Sequence, residues 1–464
     1  MDKRVLIALW VVIGLILAGD VVSLQKVNDE GYPSRWDPRV ASLVNWVEDH
    51  RHLTFDHPVD VEFLTEAEYK KTQTTDSADL TDEEKDDLAL FEGQARALGL
   101  ISSETHVLDD LNTITSSGTL AFYDNVDEKM VIKGTQLTVG LRVTIVHELT
   151  HALQDQAFGL DREFDTDGAD TFFQALAEGD ATRIENEYVE SLDENEQDDY
   201  YEEQDSEGGD AEDALGDVAP ALVQFFGAPY VLGEPFTTLL VAEDGVKALD
   251  KQFRHPHDSD EGLMDPFAVL DGEQTKKVTR PKLLAGEKRR DSGDFGAVSW
   301  YVVLSSFIDD RVALTAVDGW GGDSYVGYTK GGKECIRIAF EGDTAADTTE
   351  MATALNQWKA AFTENTAQVA ATPTRVELDA CEPTAVPKPR AESENSLALP
   401  ATRLALVSEL LSGGAPRNVT ECVGRHFVAE VPIASLSAEG DAEQQKLIDL
   451  VTRIGRACAT GQIS

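Results

Sequence analysis

Cysteine is scarce in this 464-residue chain, and basic residues are scarce beside acidic ones. The four cysteines, Cys335, Cys381, Cys422 and Cys458, show no CxxC spacing, which argues against a cysteine-based metal site or a dithiol redox motif. Lys and Arg number 39 against 86 Asp and Glu, a net charge of -47. A surface of that sign repels phosphate, so no nucleic-acid partner is expected and no adhesion to an acidic membrane surface. The charge reads as a solubility device for a salty or crowded medium. No internal repeat is evident, so a solenoid is not expected. The apolar fraction of 42% is ordinary for a globular protein, and the length allows about two or three domains.

What the sequence does have begins at the N-terminus. Lys3 and Arg4 precede an uncharged apolar run over residues 5–19, long enough for a signal-peptide core and short for a spanning helix. The flanking positive charge places the N-terminus inside and the rest outside. Residues 1–24 are therefore expected to be a signal peptide or a single N-terminal membrane anchor, with Val21-Val22-Ser23 the best small-residue site. The protein is expected outside the cytoplasm, secreted or anchored, with membrane contact only through this segment. In an oxidising compartment an even number of cysteines implies disulfides. The expected pairs are Cys335 with Cys381, joining neighbouring strands, and Cys422 with Cys458, closing the C-terminal segment.

The densest chemistry lies in residues 136–158, QLTVGLRVTIVHELTHALQDQAF. Leu137, Leu141, Ile145, Leu149 and Leu153 recur at helical spacing. On that helix His147 and His151, four residues apart, share one face, where two imidazoles can take two corners of a tetrahedral zinc site. Glu148 lies beside the metal but is poorly placed to ligate it, the position of a general base for an activated water. A second helix is expected over residues 170–188, capped by Asp170 or Thr171. Glu178 sits on it among Ala175, Ala177, Gly179 and Ala181, small neighbours that permit close helix approach, and is the expected third ligand. Asp155, Glu163, Asp165, Asp167 and Asp180 are weaker candidates for that role. Candidates for a donor to the transition state are Tyr230, His255 and His257.

Around this centre the chain reads as α+β. Residues 119–124 and 129–133 form a hairpin leading into the central helix, and residues 59–64 alternate as a further strand. A zincin-like catalytic lobe is expected over residues 25–258, with residues 190–213, acidic throughout, as a mobile insertion. A mixed, largely helical second half follows. Its first part is an α/β portion over residues 259–380, holding a tight glycine turn at Gly319-Trp320-Gly321-Gly322-Asp323. Residues 381–400, with four prolines, read as a linker, and residues 401–464 as a small helical tail.

With these motifs in place, the chain resembles secreted or anchored microbial zinc metallopeptidases of the gluzincin type. It is most similar to a poorly characterised group with an HELTHALQDQ signature, here residues 147–156, an A-L-x-E-G-D-A run, here residues 175–181, and a downstream G-W-G-G-D turn. The resemblance covers roughly residues 35–360. It implies one Zn2+ per chain on His147, His151 and Glu178, with Glu148 as base in hydrolysis of a peptide or protein substrate. The chain departs from better-known gluzincins at Thr182, where an aspartate usually orients a histidine; Asp155, and less readily Asp180, are the candidate substitutes. The metzincin pattern fails at Gln154 and Ala157. The alternative is a non-catalytic, zinc-stabilised extracellular binding or envelope-scaffold protein, which would have no use for Glu148.

Overall fold

The computed structural model describes residues 31–117, 119–364, 366–436 and 441–463; the expected export segment lies outside them. The architecture is α+β, two small sheets set among helices. In chain order the first part holds α1 (Ala41–Arg51), β1 (Asp60–Leu64), α2 (Glu66–Thr72), α3 (Asp82–Ala97), α4 (Val107–Ser116), β2 (Ala121–Asp124) and β3 (Lys129–Lys133). It continues with α5 (Val139–Phe158), α6 (Asp167–Ser191), α7 (Glu194–Leu215), α8 (Pro220–Asp244), α9 (Val246–Arg254), α10 (Glu261–Met264) and α11 (Pro266–Asp271). The second part holds β4 (Lys288–Gly293), α12 (Ala297–Ser305), α13 (Asp310–Val317), β5 (Trp320–Lys330), β6 (Lys333–Gly342), α14 (Ala345–Lys359), β7 (Ala367–Thr372) and β8 (Arg375–Cys381). The chain then runs through α15 (Ala398–Ser412), α16 (Arg417–Glu430) and α17 (Asp441–Ala459).

The first sheet has the order β1-β3-β2, with β1 parallel to β3 and β2 its antiparallel hairpin partner. The hairpin turns where the Asp124 carboxylate accepts from the Val126 and Asp127 amides, an Asx turn that the Asn125–Glu128 loop builds on. Thr138 then caps α5 by accepting from Leu141 N. Leu141, Ile145, Leu149 and Leu153 are all buried, as their spacing dictates. They join Met130, Ile132 and the inner face of α1 in a small core. The second sheet is antiparallel throughout, in the order β4-β5-β6-β8-β7. Cys335 and Cys381 stand opposite each other on β6 and β8 and are disulfide-bonded, and a second disulfide joins Cys422 on α16 to Cys458 on α17. Both are the pairs expected from the sequence.

Four local expectations need correction. Residues 190–213, read from their charge as a mobile insertion, run for the most part in α7. Asp193 accepts from Asn195 N and Glu196 N at its start, while Arg142 pairs with Glu196 and Gly140 N donates to Glu203. Helix α6 begins earlier than Asp170, because Thr166 caps it and the distant Asp294 carboxylate accepts from Asp167 N and Gly168 N. The Gly319–Asp323 motif is not a free turn: Trp320 opens β5, with a register shift before Gly322. Residues 381–400 are not a free linker either. Arg390 is bound to Ser305 O and Asp310, and Gln224 of α8 bonds Glu394 O, Ser396 Oγ and Leu397 N.

That last correction reaches the domain plan. One large core runs from Leu80 through Phe172, Phe236, Trp300, Trp320 and Phe340 to Leu404, Phe427 and Val431. It crosses the boundaries expected at residues 258 and 380. A small separate cluster, Cys422, Val423, Ile454 and Cys458, holds α17. Helix α8 is long and apolar enough to span a membrane by length and composition, yet half of its most apolar window is buried inside the protein. It packs against α6 and α15. The α6–α8 approach rests on two glycines: a Cβ on Gly179 would lie 2.2 Å from the Gly233 carbonyl carbon, and one on Gly233 would lie 2.3 Å from Ala175 O. The small residues around Glu178 thus serve the contact with α8, while Glu178 itself points to α5.

Candidate metal centre

Helix α5 stacks His147 and His151 one turn apart, and α6 crosses it to bring in Glu178. The three facing atoms form a triangle: His147 Nε2 to His151 Nε2 is 3.1 Å, His147 Nε2 to Glu178 Oε2 is 3.3 Å, and His151 Nε2 to Glu178 Oε2 is 3.4 Å. Zinc bonds of about 2.0–2.1 Å in tetrahedral array space their ligands about 3.3–3.4 Å apart. The two edges to Glu178 match that spacing, and the 3.1 Å edge between the histidines falls a little short of it.

The protons decide what can fill it. His147 Nδ1 lies 2.9 Å from Glu185 Oε2; an ionised carboxylate only accepts, so Nδ1 carries the proton. His151 Nδ1 lies 3.0 Å from Gln154 Oε1. The Gln154 amide nitrogen is committed to Ala177 O at 3.0 Å and Asp180 Oδ2 at 3.1 Å, which fixes its oxygen toward the imidazole. His151 Nδ1 is therefore also a donor. In the neutral imidazoles that a metal requires, both Nε2 atoms then present lone pairs beside Glu178 Oε2. Without a cation, burial lowers both rings but Glu178 and the neighbouring acids outweigh it and raise them, His147 furthest. A proton can bridge one edge of this triangle but not three, whereas a cation of zinc's size satisfies all three donors together. The residues present fit the metal. The side chains of His147, His151 and Glu178 remain 13, 12 and 19% exposed, so the centre is open on one side, as a catalytic rather than a closed structural site requires.

Glu148 is nearly buried on the same helix, and its Oε2 accepts from Tyr123 N of edge strand β2 at 2.8 Å. Burial pushes its carboxyl above the usual range, against the pull of His151 and His147. Burial would do the same to Glu178, but the two imidazoles override it and hold that carboxylate well below the usual range. Tyr230 of α8 comes near enough for the Glu178 charge, together with burial of the hydroxyl, to raise it well above its ordinary value, although the residue as a whole is 53% exposed. The Gly179–Gly233 approach one turn away carries it there.

Two of the donor candidates are not at the centre. His257 has both ring nitrogens engaged, Nδ1 at Ser259 and Nε2 at Glu273 O. His255 closes α9, its amide donating to Lys251 O, with no contact to the triad among the described residues. The expected partner Asp155 touches neither histidine: it accepts from Tyr123 Oη at 2.9 Å and from Leu160 N at 2.8 Å. Asp180 reaches His151 only through Gln154, and its main partners are Arg51 and Arg183. The groups that orient the histidines are Glu185 and Gln154. Glu185 is seven residues, two helical turns, beyond Glu178, and Gln154 is three beyond His151, so same-face spacing was the available signal for both. Nothing local in the sequence marks Arg51 as buried beneath them.

A family profile, a domain of unknown function (DUF8575), matches residues 282–392. That segment carries the five-stranded sheet and α12 to α14, and none of the triad. No curated protein and no solved structure matches the chain.

Proposed function

We propose that the protein is a zinc-dependent hydrolase of peptide bonds, acting outside the cytoplasm on a peptide or protein substrate. The observation that carries this reading is the convergence of three atoms able to bind a metal, His147 Nε2, His151 Nε2 and Glu178 Oε2, beside a nearly buried carboxylate that is not one of them. Held by these donors, zinc would supply Lewis acidity, polarising a carbonyl and acidifying water. Glu148 takes one proton from the attacking water and delivers it to the amine nitrogen as the C–N bond breaks and the C–O bond forms. The raised carboxyl of Glu148 suits that two-way transfer. Of the three donor candidates Tyr230, whose hydroxyl feels the Glu178 charge, is the one we assign to the oxyanion. Strand β2, at the sheet edge and bonded to Glu148 through Tyr123 N, can align an extended peptide. The two disulfides fit an oxidising compartment, and we extend the reading to residues 1–24 as the export signal or anchor.

The test is Glu148→Gln in the full chain. Zinc content should stay at about one per chain while peptide cleavage falls by roughly 10²–10⁴-fold. Cleavage at the native rate by this variant, or native protein that takes up no zinc after reconstitution, overturns the reading.

A further inference from the structure

A second convergence of acids lies away from the triad. Glu261 opens α10, Glu273 follows α11, and Asp343 follows β6. One carboxylate oxygen from each lies within 4.8 Å of the others. Acidic clusters are common in so acidic a chain, and most are solvated. This one is not, because Glu261 is 2% exposed and its Oε1 has no hydrogen-bond partner among the described residues. A buried, unpartnered carboxylate oxygen is costly and calls for a counter-charge. The local cation serves the other acids: Lys276 Nζ pairs with Asp343 Oδ1 at 3.5 Å and donates to Gly342 O at 2.8 Å and Asp343 O at 2.9 Å, while no cation is among the main influences on Glu261.

The surrounding chain is shaped around the carboxylates. A Cβ at Gly321 would lie 2.7 Å from Asp343 Oδ1, and one at Gly322 would lie 2.4 Å from Lys276 O. Gly321 and Gly322 of the G-W-G-G-D motif thus give the Asp343 carboxylate and the Lys276 backbone their room. The backbone is pinned as well, with Lys276 N donating to Gly321 O and Asp343 N to Gly319 O.

From this geometry we propose that Glu261, Glu273 and Asp343 form a calcium site that clasps the segment after α9 to the end of β6. The donor set is oxygen alone, which suits a hard cation and not zinc. Calcium takes oxygens at about 2.3–2.6 Å in irregular shells, which carboxylates from three separate segments can form. Magnesium holds its waters and is not bound by all-carboxylate cages of this kind. Glu273 and Asp343 are partly exposed and leave the side through which the ion and its remaining waters enter. Without a cation, burial and the neighbouring acids push Glu261 up to about 10 and Glu273 up to about 7. Protons are thus the competing occupants.

The experiment uses the full chain, stripped with EGTA, re-supplied with zinc, and titrated with CaCl2 or MgCl2 at pH 7.5 or so while calcium and zinc content are both measured. The unmodified protein should hold one calcium more per chain than Glu261→Gln. Its melting temperature should rise with calcium well beyond the rise given by equal magnesium. In Glu261→Gln, calcium affinity should fall on the order of tenfold or more. Glu273→Gln, at a partly exposed position, should give the same loss and stands in if the first variant does not fold. Unchanged zinc content in the variants separates this site from the triad. Equal calcium uptake by all three proteins, or magnesium as effective as calcium, overturns the proposal and leaves the cluster protonated or merely screened.

Discussion

Arg51 Nε donates to Asp180 Oδ2 across 2.6 Å, with both side chains fully buried and a sequence separation of 129. Asp180 passes the connection to Gln154, and Gln154 to His151. Arg51 also binds Asp250 at 2.6 Å, so α1, α6 and α9 meet at one guanidinium beneath the metal centre. Removing one member strands a buried charge, whereas removing both does not. Asp180→Ala should therefore cost about 3–5 kcal/mol of stability. Glu178→Ala, one turn-face away, should instead abolish tight zinc binding with a smaller stability loss. Thermal unfolding and zinc titration on the two variants separate these outcomes, and similar zinc loss in both would contradict them.

Glu185 fixes the His147 tautomer through its 2.9 Å bond to Nδ1. Glu185→Ala should weaken zinc binding by about 10–100-fold, the usual worth of a group that orients a ligand. Competition against a chelator of known affinity measures this. A native affinity in the variant would show that the bond does not orient the imidazole.

Glu287 sets an acid limit on the second sheet. Burial pushes its carboxyl up, but bonds from Arg337, Leu284 N and Lys330 outweigh this and bring it down to about 2. An unfolded glutamate titrates near about 4.3, so its folded value is depressed. The stability it contributes is present above about pH 4.3 and is lost as pH falls through that value toward about 2. Glu287→Gln should flatten that part of a melting-temperature profile against pH. An unchanged acid limb would place the loss elsewhere.

The Cys422–Cys458 disulfide closes a separation of 36 residues over a cluster of few side chains. By loop-closure entropy such a cross-link contributes about 3–4 kcal/mol. Replacing both cysteines by alanine should release α17 to proteolysis while α16, whose Phe427 and Val428 belong to the large core, stays protected. Limited proteolysis with mass mapping reads the result, and equal protection of α17 in both proteins would contradict it.

Much of this arrangement was legible in the sequence, where the signal was local. The α5 repeat of Leu141, Ile145, Leu149 and Leu153 and the β2–β3 hairpin carry their periodicity within a few residues of themselves. The pairing of Cys335 with Cys381 followed once two strands were recognised as neighbours. What stayed hidden depended on distant partners. Asp294 caps α6 from 126 residues away, and Gln224 fastens the proline-bearing stretch from another helix. The acidic α7 defeats a composition argument because its first half is bound by Arg142 and by the Gly140 amide, which lie 54 and 63 residues upstream of their partners. In the site, two histidines and a glutamate were visible, whereas Glu185 and Gln154 were overlooked as ordinary polar residues of acidic, polar helices.

Helix α6 gives neighbouring residues to different partners: Glu178 to the two histidines, Gly179 to the α8 backbone, Asp180 to Arg51, and Glu185, two turns on, back to His147. Each residue added to an α-helix rotates everything beyond it by about 100°. The stretch from 178 to 185 therefore has to keep its length as well as those four side-chain identities. A single inserted residue anywhere within it would swing Glu185 away from His147 while leaving the composition of the segment almost untouched.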